Sequence, residues 1–418
     1  SLVAKEDSGY HTDRARFRQR VRTQIRFIAD ETLSGLLNLE TNLHWGAADS
    51  APGRLDADEA YFVIKHAYLD WTLPNTRIMT RMGMQGLRFP TAAFGNPVMD
   101  ADVAGVTATV PFSPEVSLTA FWARPFDTSY DADQDNGRNM NDDMDFFGFM
   151  LPIQTGALRL TPWAAFGLIG KDSEYFGGDR GRGPSLAGNT KVRETALAWW
   201  VGGAFELPAL DPYFVKIDAM AGGLDTGDSA VDSWGYLLAG DLGYRFDFGS
   251  LSVIGWYASG DKDADKRRTM PIISDDGGFY PTLYGTGGSR VRSWDRALSA
   301  TGLGMWGIGL QLADLSFVDR LKHTARVVYM GGTNEGDAID RRSVHDSANL
   351  GDELFGKQFL MSSDRAWEVN LLNDYMVNEN LAFNLDFAYV WLDLGDHWTD
   401  KKDTEGSFAA MLGVTYSF

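Results

Sequence analysis

Arginine occupies positions 14, 16, 18, 20, 22 and 26 of the stretch RARFRQRVRTQIRFIA, and only Gln24 interrupts the even series. On a strand, alternate side chains project to opposite faces, so this spacing puts Arg14, Arg16, Arg18, Arg20, Arg22 and Arg26 on one side. Ala15, Phe17, Val21, Ile25, Phe27 and Ala29 fall on the other, broken by Gln19 and Thr23. A helix would scatter the same arginines around its circumference. An arginine facing lipid near mid-bilayer costs about 2–4 kcal/mol, so six on one face must look into water or protein. In an aqueous channel they would lower the energy of anions and carboxylated solutes and raise that of cations. Arg77 and Arg81 share one parity on a later segment and would extend the basic wall. The plainer role is structural: pairing with acids such as Glu40 and Asp70 to stiffen the wall.

Two further constellations carry candidate chemistry. Asp131, Asp133 and Asp135, followed by Gly137, resemble the start of a loop that wraps a hard cation such as calcium. The glycine falls one place late, and Asp142 stands where a bidentate glutamate is usual, so a solvated acidic loop explains them as well. Asp261, Asp263 and Asp265 repeat the spacing without the glycine. His44 and His66 have inward parity on adjacent segments, but no nucleophile motif accompanies them, and phosphate-binding and dinucleotide fingerprints are absent. The sequence therefore gives no enzyme and no organic cofactor.

The elements that must position these residues all read as strands. Leu33, Leu37, Leu39, Leu43 and Trp45 alternate with Ser34, Asn38, Glu40, Asn42 and His44, and Leu381 to Trp391 alternate in the same way. Seventeen such segments are spread along the chain, most of them long enough to cross a bilayer at a tilt. Residues 144–153 are apolar on both faces and cannot be oriented. Short polar turns (30–32, 75–76, 113–115, 154–156, 247–249, 378–380) alternate with long polar segments (46–59, 86–104, 123–143, 170–192, 222–233, 259–299, 332–365, 393–406). Among the long ones, 86–104 and 123–143 are both candidates to fold inward, and 259–299 is long enough to occlude a lumen. The expectation is an all-β, transmembrane, antiparallel up-and-down β-barrel of 16–18 strands, formed by residues 1–418 as one domain. Barrels with an even count close, so eighteen is preferred, with one upward strand preceding residue 14.

Composition agrees with this. The charge of −19 excludes a nucleic-acid partner. The 25 Phe, 15 Tyr and 13 Trp are too many for a disordered acidic chain. Trp45, Tyr61, Trp71, Tyr389, Trp391, Tyr416 and Phe418, near strand ends, suit aromatic girdles. There is no cysteine, no apolar run long enough for a membrane helix, and no signal peptide at Ser1. If the protein is exported, its signal has been removed.

The closing strand FAAMLGVTYSF resembles the terminal signature of outer-membrane barrels. RFRQRVRTQIRFIADETLSG with the later AYLDW is similar to the major homotrimeric porins of sulfate-reducing bacteria; RMGMQ and WYASGD also resemble porin segments, and alginate-export barrels share some features. The resemblance implies a multi-pass protein of the cell outer membrane, surrounded by lipid and lipopolysaccharide. It implies a homotrimer passing small hydrophilic solutes and ions, or else a channel specific for an acidic polysaccharide or carboxylate. Gln19, Thr23, Thr41 and Thr80 on the outward parity fit a wall that meets another subunit.

Overall fold

The computed structural model describes residues 17–46, 53, 61–127, 142–175, 194–229, 232–263, 267–273, 278–283, 301–338, 360–395 and 406–418. They form one antiparallel sheet: β1 (Arg18–Ile28), β2 (Leu33–His44), β3 (Val63–Thr72), β4 (Met79–Arg88), β5 (Asp100–Pro111), β6 (Ser117–Phe126), β7 (Met144–Met150), β8 (Ile153–Gln154), β9 (Arg159–Ile169), β10 (Ala196–Glu206), β11 (Tyr213–Asp225), β12 (Ser233–Phe246), β13 (Gly249–Ala258), β14 (Met305–Val318), β15 (Leu321–Gly332), β16 (Arg365–Met376), β17 (Leu381–Asp393) and β18 (Ser407–Tyr416). Apart from β7 and β8, each strand pairs with the next in the chain. β7 and β8 both pair with β9, and Pro152, which has no N–H to donate, sits at the break between them. The eighteen strands therefore make seventeen crossings, matching the seventeen segments of alternating sequence. Among the described residues β1 and β18 are not paired with each other, so the wall has a seam there. The sequence places its extra strand at the same point; residues 1–16, including Arg14 and Arg16, lie outside the described part.

The short connections share one edge of the sheet and are closed by local side-chain caps. Asp30 Oδ1 accepts from the amides of Thr32 (2.7 Å) and Leu33 (2.9 Å). Asn378 Oδ1 accepts from Asn380 and Leu381, each at 2.9 Å. These are Asx turns, in which the side chain replaces a backbone acceptor. The donors on Asp30, with the Thr32 hydroxyl and amide foremost, hold its carboxyl below the usual range.

Two belts of aromatic rings band the outer face. At the long-loop end Tyr329 packs on Trp367 (4.5 Å) and Trp367 on Trp391 (6.3 Å). At the short-turn end Tyr213 packs on Tyr244 (5.1 Å) and Tyr416 on Phe418 (6.0 Å). From Trp367 to Tyr375 is eight residues, roughly 26 Å of strand, which suits the hydrocarbon thickness once the strand is tilted. Between the belts the outer face is Leu, Val, Ile and Phe, and these residues are exposed.

The inner face differs from one side of the wall to the other. On β1 to β4 it is polar. From β5 to β17 it is mixed: segments of the long connections fold back against it and bury Phe89, Phe146, Trp163, Trp200, Ile254, Ile272 and Phe279 beside polar residues such as Asp218, Asp241, Glu368 and Asp386. This explains why residues 144–153 cannot be oriented from sequence. Phe146 packs inward on Phe89 (5.9 Å), while Phe149, three residues later, is exposed on the outer face.

Candidate permeation site

Register carries the arginine face across four strands. Arg22 lies opposite Glu40, and Arg26 opposite Leu36. Leu36 is opposite Tyr68, and Ser34 opposite Asp70. Asp70 is opposite Arg81. Gln85, Leu87 and Phe89 continue the parity of Arg81 into the buried interior. Arg18, Arg20, Arg22, Arg26 and Arg81 thus share the inner face, and Phe17, Val21, Ile25 and Phe27 lie exposed on the other. Arg77 lies between the turn and β4, two residues ahead of Met79, so β4 itself carries Arg81.

Several arginines are held in place. Arg22 Nε donates to Glu40 Oε2 (2.6 Å) and Arg20 Nε lies 3.5 Å from Glu40 Oε1. Arg20 Nε and Arg18 Nη2 both donate to Asn42 Oδ1, at 2.7 and 3.1 Å. Arg81 grips Asp70 with two parallel bonds, 2.7 and 3.0 Å, while its guanidinium lies 3.9 Å from the centre of the Tyr68 ring. The sequence-level alternative of pairing with Glu40 and Asp70 is therefore realised for Arg22 and Arg81. Among the described residues of this part of β1 to β4 five arginines stand with two carboxylates, an excess of 5 − 2 = +3. Among the described residues Arg26 makes no ion pair.

Opposite this polar wall, two inserted segments fill the interior. The first, residues 89–99 between β4 and β5, crosses to β11. There Asp218 accepts from Thr91 Oγ1 (2.8 Å), the Ala92 amide (2.6 Å) and the Ala93 amide (2.8 Å). The second, in residues 267–283, is tied to the first through Ile273 N to Val98 O (3.0 Å) and Tyr280 N to Phe94 O (2.8 Å). It is tied to the wall as well. Trp200 Nε1 donates to Pro271 O (2.8 Å) and Arg326 Nη1 to Pro281 O (2.6 Å). The Leu283 amide donates to Glu368 Oε1 (3.0 Å) and Asn370 Oδ1 (3.1 Å). Of the two loops that are candidates to fold inward, 86–104 does so through residues 89–99. Most of 123–143 lies outside the described residues.

The remaining sequence candidates are placed as follows. Asp131, Asp133 and Asp135 lie outside the described residues, and among those described no group of three or more metal-type side chains comes together. Asp261, from the second acidic series, is buried and organises its loop, accepting from Thr269 Oγ1 at 3.3 Å and from the Arg268 amide. His66 meets Asn38 (Nδ1, 3.3 Å) and Asp102 (Nε2, 2.8 Å), and Lys65 shares that carboxylate. The alternation of the sequence puts Asp218 and Arg326 on the inward face without naming their partners, and it does not single out Glu368. The available signal was that Asp218 lies opposite Ala204 and Ala239. A carboxylate whose cross-strand neighbours are both alanine must find its donors elsewhere.

An antiparallel up-and-down wall of this length, apolar and belted outside and polar within, defines a multi-pass β-barrel protein of the outer membrane. No protein-family model matches the chain, and no curated protein matches its sequence. Solved structures do. OccAB3 of Acinetobacter baumannii aligns with a TM-score of 0.54 at 12% identity, over 96% of this chain and 92% of that one. The outer membrane protein OprD from Pseudomonas aeruginosa gives 0.53 and 12%, over 96% and 87%. OccK10 (OpdN) of Pseudomonas aeruginosa gives 0.52 and 12%, over 96% and 97%. At such identities the likeness is one of fold, the outer-membrane β-barrel that these proteins share.

Proposed function

We propose that the chain is a passive diffusion porin whose water-filled path runs beside the arginine-bearing inner face of β1 to β4 and favours anions. The observation that carries this is the excess of 5 − 2 = +3 among the described residues of that face. The Arg20 and Arg22 side chains keep 36% and 43% of their surface accessible, whereas inner residues such as Trp200 and Asp218 keep none. Small hydrophilic solutes and ions are the cargo. The likeness of the first strands to the porins of sulfate-reducing bacteria, with Gln19, Thr23 and Thr80 on the outer face of β1 and β4, supports a homotrimer, to which Thr41, buried on the same parity of β2, adds nothing; a native mass of one chain would overturn that part.

A second reading is a channel specific for a carboxylated solute or acidic polysaccharide, as in alginate export. The two interlocked inserted segments favour it, since they narrow the path. Bilayer recordings separate the readings. Across a potassium chloride gradient the zero-current potential should carry the sign of chloride preference, and a cation-preferring sign would overturn both. Adding galacturonate oligomers should leave a general porin's current nearly unchanged. Saturating block at low concentration would establish the specific channel instead.

A further inference from the structure

Asp218 is a carboxylate on the inner face of β11 with no exposed surface. Its neighbours across the sheet are Ala204 and Ala239, which have nothing to donate, and among the described residues it has no ion-pair partner. A buried charge without compensation is strongly unfavourable. The compensation comes from the Thr91 hydroxyl and the amides of Ala92 and Ala93. Successive backbone N–H groups converging on one anion form a nest, so wall and segment each complete the other. The span between them is large. From β4 to β11 the wall runs through β5, β6, β7, β9 and β10, six strand-to-strand steps, or roughly 29 Å of sheet. Residues 89–99 leave β4 and return to β5, and Thr91 to Ala93, early in that segment, reach the inner face of β11 and are held at Asp218. The second segment braces on them through Val98 and Phe94.

From this we infer that Asp218 is the residue that sets the bore: it pins the inserted segment against β11 and keeps it away from the arginine face. The inference rests on the reading of the protein as a water-filled channel. It assigns Asp218 a positioning role in size selection and none in charge selection, because its carboxylate is sealed from the path.

The test compares Asp218→Ala and Asp218→Asn with the wild-type full-length protein in planar bilayers and in liposome swelling with sugars of increasing size. Native folding is checked by heat-modifiable gel mobility. Release of the segment should change single-channel conductance by roughly two-fold, as expected when a pore constriction is remodelled. It should also shift the largest sugar admitted, while the zero-current potential stays at the wild-type value. Ala92→Pro removes one donor from the segment side, leaves the wall untouched, and should reproduce the change; it decides the matter if the Asp218 variants do not fold. Folded variants with wild-type conductance and size limit would overturn the inference. So would a changed ion preference at an unchanged size limit, because Asp218 would then be acting as a charge. Absence of anion preference in the wild type would sink the proposed function and leave the comparison of bores standing.

Discussion

Replacing Arg18, Arg20 and Arg22 together by glutamate is expected to turn an anion-preferring channel into a cation-preferring one. The inner face of β1 to β4 holds five arginines and two acids. After the substitution it would hold Arg26 and Arg81 against five acids, so its charge passes from 5 − 2 = +3 to 2 − 5 = −3. Two unit charges 4 Å apart interact by about 1 kcal/mol in water and about 4 kcal/mol where the effective dielectric constant is 20. Each ~1.4 kcal/mol is a factor of ten, so the anion-to-cation permeability ratio should fall by at least roughly ten-fold. Exchange of the same three for glutamine separates charge from scaffolding. The ratio should then fall part of the way, to that of a face whose charge is 2 − 2 = 0. If the arginines served only to hold Glu40 and Asn42, the glutamine variant would lose stability while the zero-current potential stayed in place.

The second large effect concerns the other face. Leu371→Arg should weaken folding into lipid vesicles by about 2–4 kcal/mol, the cost of arginine at mid-bilayer depth. Leu371 lies on the outer parity of β16, midway between Trp367 and Tyr375, where both aromatic belts are furthest away. It sits opposite Phe387 and Ala325 on the neighbouring strands. The matched substitution Gln24→Arg, inside the arginine series of β1, should fall within about 0.5 kcal/mol of wild type, as for a surface change away from packed features. Urea-dependent folding of both variants in vesicles of one composition measures the difference. Equal costs at the two sites would mean that the outer face of β16 is not against hydrocarbon.

Strand identity and facing were legible wherever one face was polar. In β1 the two-residue period of arginine leaves a single orientation, and register then carries that orientation to Asp70 and Arg81. The period failed at β7, where Phe146 is apolar for a reason external to the strand: it packs on Phe89 of the inserted segment. It also fell short at the ends. β5 starts at Asp100, inside a stretch read as loop, because Asp100 to Ala104 pair with β4. β14 runs on to Val318 through two register shifts around Leu315, and irregular pairing of that kind blurs alternation. At β4 the alternation runs the other way past the strand's end, since Arg77 lies two residues ahead of Met79. The inserted segments were the least legible part. Thr91 and Asp218 are separated by 127 residues, and nothing local to either names the other. What sequence offers is only an unmatched aspartate between two alanines.

The central claim is that the arginine face of β1 meets water while its neighbours meet lipid. The chain has no cysteine, so single cysteines placed in turn at positions 18 to 28 can each carry a nitroxide in the protein reconstituted into vesicles. Collision rates with a water-soluble nickel chelate and with oxygen then report the surroundings of each site. The expected record is an alternation of period two, with the chelate reaching positions 18, 20, 22 and 26 and oxygen favouring 21, 25 and 27. An alternation of opposite phase, or uniform access along the strand, would contradict it.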